Sequence, residues 1–145
     1  RVEIARDPAA AQGEVIKVSA KGVNVVCIAN AIADTGAQKI SPDDHAFLKE
    51  MMDLMSKKML EGQFGPDENG QVTRLATVTL GGRPARFFET RITNKAGTAI
   101  LGRNWLTVIP NHFFSLNCAS PPAAFATPAA QAFMAAIRDG VRFSK

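Results

Sequence analysis

The side chains with the greatest chemical reach here are Cys27, Cys118, His45 and His112, together with Glu89, the single acid in a basic stretch. A zinc-type site draws on cysteines and histidines that a local motif gathers at short spacing. No two of these four lie closer than six residues, so no metal site is expected. A thiol nucleophile needs a base within hydrogen-bond reach and donors for the developing oxyanion. Cys118 and His112 fall in one strand-like stretch, six positions and about 20 Å apart along it, which is too far for proton transfer. The sequence also lacks the Gly-x-Ser-x-Gly turn, the glycine-rich phosphate loop and the His-Glu-x-x-His helix. The expectation is therefore a non-enzymatic protein, with no catalytic residue and no cofactor. Glu89, between Phe88 and Thr90, is the carboxylate an acid–base enzyme built on an α+β sheet would use, but the expectation is a cross-strand ion pair with Arg74, Arg103 or another neighbour, worth about 0.2–1 kcal/mol.

The two cysteines have two readings. Bridged, they close a loop of about 90 residues and remove roughly 4–5 kcal/mol of denatured-state freedom. Reduced, they behave as small buried hydrophobes. Spacing alone leaves both open, because it carries no geometry.

The net charge of +4 hides a separation. Residues 41–69 hold three basic and seven acidic side chains, whereas residues 70–103 hold six basic ones against Glu89 alone. The basic set is Arg74, Arg83, Arg86, Arg91, Lys95 and Arg103, and it is the candidate surface for a protein partner or an anionic envelope component. Nucleic acid is not expected, because the chain has no tyrosine and the cations fall in no recognition motif. No apolar run approaches the roughly 18 residues of a membrane-spanning helix.

These side chains need elements to hold them. At 145 residues the chain has the length of one ordinary domain. Residues 1–13 read as an N-terminal leader ending in one helical turn, and residues 14–145 as a single α+β domain. Strands are predicted over 14–20 and 23–32 around Lys21-Gly22, forming a hairpin. Ser41, Pro42, Asp43 and Asp44 form a well-marked helix start. Over 43–61, Phe47, Leu48, Met51, Met52, Leu54, Met55 and Met59 fall within an arc of about 160°, a core-facing stripe with methionine as filler. Strands follow over 71–80, 83–93, 98–109 and 112–119. Gly81-Gly82 makes the first of their turns, since a two-residue hairpin loop of this kind needs positive φ at both positions. A packed crossing over 121–126 leads to a second helix opened by Thr127 and Pro128, with Phe133, Met134, Ile137 and Val141 on its apolar side. The order ββ-α-ββββ-α describes an antiparallel sheet with helices packed on it.

This order, with GGRPARFFETRI, GRNWLTVIPNHFFSLNCAS and the closing QAFMAAIRDGVRFSK, resembles the PsbP-like fold over roughly residues 14–144. The carriers are Gly82-x-Pro84 at a strand start, the final strand ending in a cysteine, and the C-terminal helix followed by Phe143-Ser144. That fold occurs in photosystem extrinsic subunits, a nuclear Ran-binding protein, and small bacterial envelope proteins and lipoproteins. The resemblance implies an α/β/α sandwich, an accessory or binding role, and, through the bacterial branch, a periplasmic or secreted location. It transfers no site residue. Two alternatives stand beside this reading. One is a small-ligand-binding protein or enzyme with a pocket between helix 43–61 and the sheet; the other is an immunity or inhibitor protein for a toxin.

Overall fold

The computed structural model describes residues 2–6, 13–33, 50, 68–109 and 112–143. The predicted helix over 43–61, its methionine stripe, His45 and the pocket beside that helix lie outside the described residues.

Seven strands form one antiparallel sheet: β1 (Val2–Arg6), β2 (Gly13–Ala20), β3 (Val23–Ala33), β4 (Glu68–Leu80), β5 (Arg83–Asn94), β6 (Ala99–Ile109) and β7 (His112–Ser120). Their spatial order is β1-β2-β3-β7-β6-β5-β4. Each local hairpin follows from its turn. Gly81 and Gly82, at φ +57° and +81°, supply the double positive φ of the tightest β-hairpin loop, and β4 pairs with β5 from Leu80↔Arg83 outward. At the next turn Asn94 Oδ1 accepts a hydrogen bond from Thr98 N at 2.9 Å, the side-chain turn chemistry expected of asparagine.

One expectation is corrected. Val2–Arg6 is not leader but an edge strand, in register with β2 from Val2↔Ala20 to Arg6↔Ile16. Its apolar Val2 and Ile4 are two positions apart with Glu3 between them, which fits the period of a strand, and pairing removes β2 from the sheet edge.

The α2 helix (Pro128–Gly140), preceded by the single turn α1 (Pro122–Phe125), lies on one face of the sheet. Thr127 caps it by accepting from Ala130 N at 3.2 Å, with Pro128 in the first turn. Its inward residues Ala130, Phe133 and Met134 pack with Val25, Cys27, Leu80, Phe87, Trp105, Leu116 and Cys118 in the main core. Phe88, Leu106 and Val108 form a smaller cluster on the opposite face, because successive strand residues point opposite ways.

That opposite face also holds a buried polar group. Asn104 Nδ2 donates to Phe88 O and to Thr90 Oγ1, both at 3.2 Å. A β-carbon placed on Gly102 would lie 2.5 Å from that same Thr90 oxygen. Gly102→Ala is thus expected to displace Thr90, weaken the Asn104 bond and cost about 1–3 kcal/mol. A lowered denaturant midpoint at unchanged slope is the readout, and an unchanged midpoint refutes the close-approach role of this glycine.

Candidate functional site

The sheet register lines up one row of side chains on the α2 side. Arg74 stands opposite Glu89, Glu89 opposite Arg103, Arg103 opposite Cys118, and Cys118 opposite Cys27. The cysteines are bonded, with their Cα atoms 4.0 Å apart, so neither is a thiolate and a cysteine nucleophile is removed from consideration. Of the two readings of the pair, the structure takes the bridge.

Glu89 sits between two guanidinium groups, 3.9 Å from Arg74 Nη1 and 3.5 Å from Arg103 Nε. The expected cross-strand ion pair is therefore present, shared between both candidates. Each arginine is also steadied by a ring: Arg74 lies over Phe87 at 5.5 Å and Arg103 over Phe125 at 5.1 Å. Stacking of this kind holds a planar guanidinium in place while leaving its N–H edges for an anion.

Beside this row runs a second, Ala76–Phe87–Trp105–Leu116. Phe87 and Trp105 touch at 5.2 Å between ring centroids. The two rows and the last turn of α2 enclose a cleft of about 400 Å³, walled by Arg74, Glu89 and Arg103, floored by Phe87 and Trp105, and rimmed by Arg138 and Asp139. A second hollow of about 400 Å³ shares that rim and continues past Gly81, Gly82 and Arg142. Arg138 Nε bonds Asp139 Oδ1 at 2.7 Å. This bond holds the Asp139 carboxyl below the usual carboxylate range and raises Arg138 above its ordinary value.

The predicted basic surface is only partly one surface. Arg74 and Arg103 line the cleft, and Arg83 stacks over Phe143 at 5.7 Å on the same side. Arg91, exposed and two positions from Glu89, shares that face by strand alternation. Lys95 is in the β5–β6 turn. Arg86 belongs to the opposite face, where its Nη1 donates to Thr77 Oγ1 at 2.6 Å. It leaves the patch because it is one residue out of step with Arg83, Glu89 and Arg91. In exchange the tertiary structure adds Arg138 from the last turn of α2 and Arg142 from the segment just past it. Their only signal is basic charge in and just after the last turn of a helix whose docking position carries no local trace in the sequence.

Among the described residues no group of three or more His, Cys, Asp or Glu side chains is placed to hold a metal ion. His112 opens β7 opposite Ile109 and Ala33. No helix among the described residues is long and apolar enough to cross a membrane.

No protein-family model matches the sequence, and no curated protein matches it. Solved structures do. The cyanobacterial PsbP of Synechocystis sp. PCC 6803, CyanoP, superposes with a TM-score of 0.61 at 9% identity, covering 94% of this chain and 79% of that one. The fold is PsbP-like. A Pseudomonas aeruginosa protein of unknown function, PA94, superposes with the same TM-score at 12% identity, over 100% of this chain and 84% of that one. At these identities the PsbP-like likeness speaks for architecture alone. It agrees with the element order read from the sequence, an antiparallel sheet with helices packed on it.

Proposed function

We propose that this chain is a non-enzymatic accessory domain, periplasmic or secreted, that binds an acidic protein partner through the sheet face carrying α2. The observation behind this reading is the lining of two adjoining hollows by Arg74, Arg103, Arg138 and Arg142, with Arg83 and Arg91 on the same sheet face. Arginine is the cation suited to such a role, since its fork pairs with carboxylates and its plane stacks on rings. A recess suits a projecting acidic side chain better than a flat lipid surface. The Cys27–Cys118 bond supports an oxidising compartment, because such bonds persist outside the reducing cytosol.

Binding to a polyglutamate-coated surface, measured across ionic strength, tests the reading. Reversing two face charges, Arg74→Glu with Arg91→Glu, is expected to weaken binding by about tenfold or more. Reversing Lys21, exposed in the distant β2–β3 turn, together with Lys17 changes net charge equally and is expected to have a much smaller effect. Equal losses in the two double variants, or binding that is flat in salt, overturn the assignment to this face.

A further inference from the structure

We infer that the cleft between β4, β5, β6 and the end of α2 receives a single peptide carboxylate, a glutamate or aspartate side chain flanked by an apolar residue. The inference rests on the binding role proposed above and specifies what that face recognises. Three observations carry it.

The first is charge. The cleft lining holds Arg74, Arg103 and Arg138 against Glu89 and Asp139, which leaves one positive charge uncompensated. Asp139 is engaged with Arg138, so the surplus lies at the Arg74–Glu89–Arg103 row. A monoanion neutralises it and a dianion overshoots it.

The second is donor capacity. One carboxylate cannot saturate two guanidinium groups that carry five N–H donors each. At 3.9 and 3.5 Å both contacts with Glu89 are longer than the 2.7–2.9 Å typical of a charge-assisted hydrogen bond. Arg103 Nε is buried and has no hydrogen-bond acceptor, and a buried donor without an acceptor is costly. A second carboxylate at the row supplies acceptors to the guanidinium N–H groups that Glu89 does not engage.

The third is preorganisation with room. Stacking on Phe87 and Phe125 fixes the two guanidinium planes before any ligand arrives, which lowers the ordering cost of binding. About 400 Å³ is more than one carboxylate fills, so a neighbouring apolar side chain can rest on the Phe87 and Trp105 floor. A volume of this size falls within the range of small-ligand sites.

Trp105 makes the test direct, because the chain has one tryptophan and no tyrosine, so its intrinsic fluorescence reports the cleft floor. The probe is acetyl-Leu-Glu-Leu-amide, titrated at constant ionic strength beside acetyl-Leu-Gln-Leu-amide and inorganic phosphate. A saturable change with the glutamate peptide alone is expected. Arg74→Gln, at a side chain 64% exposed and so safe for the fold, is expected to weaken that response about tenfold. Glu89→Gln removes the competing resident carboxylate and is expected to strengthen it severalfold, a gain that a merely structural Glu89 would not produce. Equal response to the glutamine peptide, equal saturation by phosphate, or indifference to both substitutions overturns the inference. If the peptide response fails while the charge-reversal effect on polyglutamate binding persists, the cleft assignment alone falls; if both fail, the binding face falls with it.

Discussion

Replacing Cys27 and Cys118 together with alanine lowers the free energy of unfolding by about 4–5 kcal/mol in the chain-entropy account of cross-links. The bond joins residues 91 apart in sequence, so it restricts a large part of the unfolded chain. Both side chains are almost fully buried, and alanine leaves no unsatisfied polar group there, which keeps the variant a test of the cross-link. Ordinary domains hold only about 5–15 kcal/mol in all, so the reduced protein should be close to its threshold. The placement adds to the effect. Among the described strands, β3·β7 is the seam that joins the N-terminal hairpin to the β4–β7 meander, and the bond crosses it in register. Because Cys118 also stands opposite Arg103, loosening the seam is expected to weaken anion binding at the cleft as well as stability. Equilibrium unfolding with and without reductant measures the first effect. Coincident curves would refute it, as would two alkylated cysteines in native protein unfolded without reductant.

Phe87→Ala is the second large effect, at about 3–5 kcal/mol for removing a buried aromatic ring. Phe87 is 7% exposed in the main core, packs against Trp105 at 5.2 Å and carries the Arg74 guanidinium on its other side at 5.5 Å. Its loss opens a cavity under the cleft and removes the platform that orients one of the two anion-facing arginines. At this chain length each kcal/mol is worth roughly 2–4 °C in Tm. Phe87→Leu keeps most of the volume and is expected to cost far less in stability while still removing the ring beneath Arg74. The pair therefore separates packing from arginine positioning. Thermal unfolding followed by Trp105 fluorescence checks both, and a Phe87→Ala protein as stable as the parent would show that the floor is not part of the core.

The local parts of this architecture were legible because their causes are local. Gly81-Gly82 demands a two-residue hairpin whatever surrounds it, and the observed turn has positive φ at both positions. Thr127-Pro128 marks a helix start, and the helix begins there with the Thr127 hydroxyl as its cap. The ion pairing of Glu89 was readable for a related reason: the charged side chains within a few positions of it on the neighbouring strands, Arg74 and Arg103, are both cationic. The short Val2–Arg6 strand was misread because five residues give too little pattern to separate a strand from a leader, and its pairing with β2 supplies what the pattern lacked.

By itself, the sequence determined the turns, the strands of the meander, the last helix, the class of fold and the clustering of cations between residues 70 and 103. Each of these depends on side chains a few positions apart. Tertiary structure decided which β7 edge meets β3, hence that the cysteines bond rather than remain thiols. It also decided which cations share a face, turning Arg86 away and bringing Arg138 to the cleft and Arg142 to the hollow beside it. Strand alternation divides a contiguous charge run between two faces, and sheet closure and helix docking join residues whose separation along the chain leaves no local trace.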